Sequence, residues 1–396
     1  MLGSPRAALR GRPPAPAHGP AFVGLRDGRL AAPDSVLLAT VAALIAIGLI
    51  MIYSASSATA YATYRDTAYF LKRQMVWLLV ALVCGYFAYR VDYRKLRAVA
   101  PLGIFAAFIA LVAVFVPHVG QAAGGSRRWL GGEFISFEPS EFAKLALVAF
   151  LAAKLATLGE GVRSLVRGAV PLLLVTCALA VPVLLEPDMG TASLLVFTAF
   201  GMLFCAGARF EHLALCAFSL LPVVLLAIGS SAYKRARIFA FLDPWKDPQN
   251  TGFHIVQSLL ALGSGGWLGV GLGASRAKFF YLPEQYTDFI FAILGEELGL
   301  LGALGVIALF IVFAFRAVRI ALAAPDRFGL LLALGCTLLI SIQAFVNIGV
   351  VTSSWPVTGV PLPFVSFGGT SLVVSLVAVA LVVNVGRHRP ASAAPY

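Results

Sequence analysis

Charge is scarce in this 396-residue chain: only 12% of its residues are Asp, Glu, Lys or Arg. With 60% hydrophobic residues and a mean hydropathy of +0.91, it falls outside the range of soluble globular proteins. Disulfide and metal chemistry are equally thin. The five cysteines, Cys84, Cys177, Cys205, Cys216 and Cys336, all sit inside apolar stretches, where pairing is not expected, and none has ligand spacing. The five histidines are scattered. The glycine-rich run 263–273 has no strand pattern before it and no Walker lysine, which argues against a nucleotide loop. A net charge of +12 in a soluble protein would suggest nucleic acid. Here the basic residues gather in short loops between apolar runs, as membrane orientation requires, so no nucleic-acid partner is expected.

What remains is an all-α, polytopic integral membrane protein. Residues 1–33 are rich in Arg, Pro and Gly and read as a disordered basic cytoplasmic tail. A membrane domain over 34–387 follows, then a short cytoplasmic tail, 388–396. The domain holds ten apolar stretches of spanning length: roughly 35–56, 69–90, 97–117, 140–158, 168–185, 188–206, 211–231, 285–316, 329–352 and 366–386. Alternate loops carry Arg90, Arg94, Lys95 and Arg97; Lys154, Arg163 and Arg167; Arg209; Arg316, Arg319 and Arg327; and Arg387 and Arg389. These loops are assigned to the cytoplasm, which places both termini there. The large loop 232–284, between helices 7 and 8, is then extracellular. Segments 118–144, 186–190, 232–284 and 352–370 and the start of the span at 285 all converge on that outer face.

The stretch around which the chain is organised is Tyr281-Leu-Pro-Glu-Gln-Tyr-Thr-Asp288, running into an apolar helix with Glu296, Glu297 and Gly299. An acid at membrane depth is costly, which makes Asp288 the first functional candidate. As one helix, the stretch would bring Gly295, Gly299 and Gly302 near the Asp288 face and place Glu296 about 80° away. Glu296 and Glu297 are read first as buried ion-pair or capping groups. In Gly124-Gly-Ser-Arg127-Arg128-Trp129, an interfacial Trp stands beside two guanidinium groups. Glu141 and Lys144 follow at i, i+3, either as a self-neutralising pair or as part of a cationic phosphate site. Asp188, in Glu186-Pro-Asp188-Met-Gly190, is read as a helix cap or a second acid. The loop 232–284 ends in Ser275, Arg276 and Lys278, a basic rim at headgroup level or a substrate contact. Its apolar run 254–262 is too short to span and suggests an interfacial or re-entrant helix. The Pro- and Gly-rich segment 355–371 must be buried in protein or line a wet cavity.

The segments GSRRWL, EPSEFAK, EPDMG, FHIVQSLLALGSGGWLGVGLGASRAKFFYLPEQYTDFIFAILGEELG and PVTGVPLPFVSFGGTS, in this order, resemble the SEDS family of FtsW, RodA and SpoVE across about residues 33–386. The wording around 271–299 is closer to the division and sporulation branch than to the elongation branch. The resemblance implies a peptidoglycan glycosyltransferase of the cytoplasmic membrane. It would polymerise lipid II on the outer face beside a class B penicillin-binding transpeptidase and the membrane proteins of the division complex. It also implies that Asp288 is the catalytic aspartate, and that Trp129, Glu141, Lys144 and Asp188 are functional. Ser136 stands where some relatives carry a basic residue, so a phosphate contact there does not carry over.

Glycan growth requires a sugar hydroxyl to displace a polyprenyl diphosphate from an anomeric carbon. Asp288 is the expected general base. Arg127, Arg128, Lys144 or Lys278 are expected at the diphosphate, with Glu296 among the substrate contacts and a divalent cation, Mg or Mn, as a candidate aid. No organic cofactor is expected. The competing readings are a flippase for the same lipid and a non-catalytic division scaffold.

Overall fold

A computed structural model of the chain describes residues 31–117, 119–123, 126–132, 136–229, 231–279 and 282–388. Of the two expected tails, 1–30 and 389–396 lie outside the described residues. The helices are α1 (Ser35–Tyr64), α2 (Tyr69–Arg90), α3 (Arg94–Ala113), α4 (Pro139–Leu158), α5 (Val170–Leu185), α6 (Met189–Cys205), α7 (Phe210–Gly229), α8 (Ala232–Leu242), α9 (Phe253–Gly265), α10 (Ile290–Leu322), α11 (Arg327–Val351) and α12 (Gly369–Arg387). Among the described residues, eight helices are long and apolar enough to cross a membrane; α6 and the apolar part of α7, Phe210–Leu226, are shorter. Each expected apolar stretch is helical over most of its length, because a backbone without water must satisfy its own N–H and C=O groups. The three-residue turn Glu186-Pro-Asp188 does separate α5 from α6.

Local chemistry sets several helix starts. Asp34, Asp188 and Asp326 accept from Leu37 N, Thr191 N and Gly329 N, each at 2.9 Å, as N-caps of α1, α6 and α11. The interior is built on α4, α11 and α12, whose Leu147, Leu151, Leu332, Cys336, Ala378 and Val382 are fully buried. Outside them, α2 and α3 turn Leu79, Leu82, Leu102 and Phe105 outward, an apolar surface suited to lipid rather than water.

The two ends of the bundle differ. At one, the segment before α1 meets the end of α12: Ala31 N donates to Arg387 O at 2.8 Å, and Arg316 pairs with Asp34 at 2.5 Å. Asn384 donates to the carbonyls of Ala88 and Val91, and Tyr93 to Asp326. The irregular segments collect at the other.

Three features were not expected from the sequence. A small antiparallel sheet, β1 (Gly120–Ala123), β2 (Ser126–Gly131) and β3 (Ser136–Phe137), in the order β1-β2-β3, precedes α4 and carries Arg127, Arg128 and Trp129 on β2. The loop 232–284 contains a further helix, α8, ahead of α9, the short apolar helix that was expected. Finally, α10 begins only at Ile290 and breaks at Gly299, where φ is +69° and ψ −170°. The single helical wheel over 288–302 is therefore corrected: Asp288 lies in the turn before α10. The break frees carbonyls and amides in a buried place. The glycine-rich loop after α9 meets them: Val270 N donates to Glu296 O (2.9 Å), Gly271 N to Glu297 O (3.1 Å), Leu300 N to Gly266 O (2.9 Å) and Leu301 N to Trp267 O (3.2 Å). Glycines serve there because a Cβ on Gly299 would lie 2.6 Å from Trp267 O.

Candidate active site

Asp288 ends a turn in which Thr287 N and Phe289 N both donate to Glu284 O at 3.2 Å. The Pro- and Gly-rich segment 357–368 wraps this turn. Ser366 Oγ donates to Thr287 O (2.6 Å) and Phe367 N to Tyr286 O (2.9 Å). Asn347 on α11 donates through Nδ2 to Asp288 O (2.8 Å) and Val360 O (2.7 Å). The carboxylate itself faces the backbone of Gly359, where φ is +77° and a Cβ would stand 3.6 Å from Asp288 Oδ2. The irregular segment is thus a structural wall, as required of non-helical backbone at such a depth.

Two further acids approach from α6 and its preceding turn. Gly190 packs on this wall so closely that a Cβ would meet Thr358 O and Val360 Cγ2 at 2.5 Å. Asp188, 2% exposed, caps α6 and faces Arg128 Nη1 at 3.6 Å. Arg128 also donates to Glu186 O (3.0 Å) and Pro187 O (2.9 Å), so its guanidinium ties the sheet to the α5–α6 turn. Arg127 stays exposed on the same strand and Trp129 is half-buried.

The electrostatics follow from this packing. Burial, then the negative charges of Glu284 and Asp188, push the Asp288 carboxyl up to about 7, against the opposing pull of Arg237 and Arg128. Burial and the neighbouring Asp188 likewise push Glu186 up to about 8, with Arg128 opposing. An acid that ionises near neutrality, with cations in range, is suited to taking a proton.

The expected residues divide into two groups. Asp288, Asp188, Arg128, Arg127 and Trp129 belong to the elements gathered at this end. Glu141 and Lys144 lie just behind: Lys144, 1% exposed, pairs with Glu141 Oε2 (2.8 Å) and donates to Gln343 Oε1 (2.9 Å). Both readings of this pair remain, but the ammonium already has two partners. Lys278 and Glu296 belong elsewhere. Glu296 accepts from Ser275 Oγ, Arg276 N (2.9 Å) and Ala277 N (3.4 Å). Glu297 accepts from Ser54 Oγ at 2.6 Å and lies 3.7 Å from Lys278 Nζ, which also donates to Gly273 O. This buried network fastens the loop 273–278 to α1 and α10. It gives Lys278, Glu296 and Glu297 partners within the protein, and Glu296 sits about two helical turns beyond Asp288. Gln343 and Asn347 were not singled out as site residues. The available signal was two amides four positions apart in an otherwise apolar span.

The comparisons with known proteins agree with this architecture. The cell cycle protein family of FtsW, RodA and SpoVE matches residues 34–391. Stage V sporulation protein E of Bacillus subtilis is 44% identical over 356 residues, covering 90% of this chain and 97% of that protein. A probable peptidoglycan glycosyltransferase FtsW of Geobacter metallireducens is 42% identical over 355 residues, covering 90% and 95%. Among solved structures, a chain of a peptidoglycan synthase complex superposes with a TM-score of 0.77 at 30% identity, over 91% of this chain and 99% of that one. The rod-shape-determining protein RodA of Thermus thermophilus gives 0.66 at 29%, over 90% and 98%. The sequence motifs, the helical architecture and these likenesses together place the chain, a multi-pass membrane protein, in the SEDS family of FtsW, RodA and SpoVE.

Proposed function

We propose that this protein is a peptidoglycan glycosyltransferase that polymerises lipid II at the outer face of the cytoplasmic membrane during septal wall synthesis. The observation that carries the reading is Asp288: a desolvated carboxyl, poised near neutrality, walled by the 357–368 segment and faced by arginines. The named activity of the FtsW relatives supports it.

In the reaction, the Asp288 carboxylate accepts the proton of the acceptor sugar's 4-hydroxyl. The oxygen forms a bond to the donor's anomeric carbon from the face opposite the leaving group. The anomeric carbon–oxygen bond to the diphosphate breaks, and its electron pair leaves on the polyprenyl diphosphate. The anomeric centre is inverted. Exposed Arg127 is free to meet that charge, with Arg128 beside it. Lys144 contributes its field from behind, held by Glu141 and Gln343. Among the described residues no group of three or more His, Cys, Asp or Glu side chains could hold a metal ion, so no step is routed through the magnesium or manganese ion considered from the sequence.

The end where Ala31 meets Arg387 would face the cytoplasm and the Asp288 end the outside, as the positive-inside pattern expects. A class B penicillin-binding transpeptidase is the proposed partner, in keeping with the structural likeness to a chain of a peptidoglycan synthase complex. Membrane proteins of the division complex are the other proposed partners.

The test uses the full chain, purified with its transpeptidase and supplied with labelled lipid II. Glycan strands from wild type and none from Asp288→Ala are expected. Polymer from that variant at the wild-type rate removes Asp288 from the mechanism. A flippase or a scaffold makes no polymer in either case. Membrane-impermeant thiol labelling of Thr287→Cys in whole cells is expected from outside; protection there sinks the orientation.

A further inference from the structure

Asp288 and Lys144 come from elements far apart in the chain, yet both are tied to one face of α11. Gln343 and Asn347 stand four residues apart on that helix, about 6 Å along its axis. Gln343 accepts from Lys144 Nζ (2.9 Å), and its Nε2 donates to Pro361 O (2.9 Å) and Ser371 Oγ (3.4 Å). Asn347 donates to Asp288 O (2.8 Å) and Val360 O (2.7 Å). The two amides therefore grip consecutive carbonyls, Val360 and Pro361, of the wall that carries Gly359 against the Asp288 carboxylate. Both side chains are buried, 3% and 1% exposed.

The orientation of the Asn347 amide is fixed. Turned over, its oxygen would face two carbonyl oxygens. In the observed orientation Oδ1 is buried with no hydrogen-bond partner. Leaving a buried acceptor unpaired is unfavourable, so the two donated bonds decide the orientation. They tie the carbonyls of Asp288 and Val360 to α11.

We propose that Gln343 and Asn347 are positioning residues: an amide pair on α11 that holds the Asp288 turn, the 359–361 wall and Lys144 in one frame. This rests on the reading of Asp288 as the base. The frame keeps the carboxyl in its desolvated seat, among Glu284 and Asp188 of like charge and Arg237 and Arg128 of opposite charge. Loosened, the turn admits water, and Asp288 titrates closer to an ordinary carboxyl. It also stands off the acceptor hydroxyl, and displacement by about 1 Å costs on the order of a hundredfold in rate.

The experiment measures lipid II polymerisation against pH for the full chain with its transpeptidase, in proteoliposomes, per folded protein. Asn347→Leu is expected to lower kcat at least about tenfold with little change in KM. It should also move the rising midpoint, expected near 7 in wild type, down by about one pH unit. Gln343→Leu should move it the same way by less, and Asn347→Ser, which keeps a single donor, should fall between Asn347→Leu and wild type. A residue that only stabilises the fold would lower amplitude and leave the midpoint in place. Should Asn347→Leu not fold, the other two variants read the same midpoint. Unchanged midpoints and kcat in the folded variants overturn the proposal. Asp288→Asn, run alongside, separates the cases: an active Asp288→Asn defeats the base itself, whereas an inactive one beside unshifted Asn347 and Gln343 variants defeats only the frame.

Discussion

Replacing Asp288 by Asn should abolish polymerisation and, above neutral pH, make the protein more stable. The reasoning starts from the seat of the carboxyl. An ordinary aspartate ionises near 3.8, and in the folded chain burial, Glu284 and Asp188 push this one up to about 7. Between those values the native state binds a proton that the unfolded chain has already released. Stability therefore falls as pH rises through this window. At about 1.4 kcal/mol per pH unit, the interval from 3.8 to 7 corresponds to roughly 4 kcal/mol. That is an upper bound, since some water reaches the half-buried group and the amide brings donors of its own. Asp288→Asn removes the ionisation and with it the penalty. The assay is thermal or denaturant unfolding of the purified protein at several pH values, paired with lipid II polymerisation. The variant's advantage should reach a few kcal/mol at pH 8 and fade to nearly nothing at pH 4. An advantage that is absent, or equal at both pH values, would refute the buried, raised carboxyl. Retained polymerisation would refute its role as base.

Three other substitutions test the frame around it. Gly299→Ala places a Cβ against the 266–269 loop at a backbone conformation that side chains avoid; strain of about 1–3 kcal/mol is expected, with loss of the four bonds that plug the break, read as a lower unfolding midpoint. Gly190→Ala drives Thr358 and Val360 outward and should cost about 1–3 kcal/mol in stability, with a larger proportional loss of turnover because the wall beside Asp288 moves; turnover unchanged in a folded variant would contradict that coupling. Lys144→Met leaves Glu141 buried without its cation and should destabilise by about 3–5 kcal/mol while crippling turnover, and adding Glu141→Gln should recover much of the stability in the same unfolding assay.

Much of this protein was decided by residue order alone. Apolar runs of spanning length set the helices, because a chain in lipid has no other way to satisfy its backbone. Glu186-Pro-Asp188 set the α5–α6 turn, and the ordered motifs identified the family and pointed to Asp288, Asp188 and Arg128. Three-dimensional packing decided the rest. The break at Gly299 is invisible in the sequence, where Glu296 and Glu297 precede it and a long apolar run follows. It exists because a loop some thirty residues earlier supplies the donors and acceptors that the broken helix loses. The same packing turned Lys278 and Glu296 inward to fasten that loop, in line with the first reading of Glu296 as a buried structural acid. It also gave Gln343 and Asn347 their place beside Lys144 and Asp288. Hydropathy reports how each segment meets its solvent. Which carbonyl an amide grips depends on what another segment brings within 3 Å, and that is a property of the folded bundle.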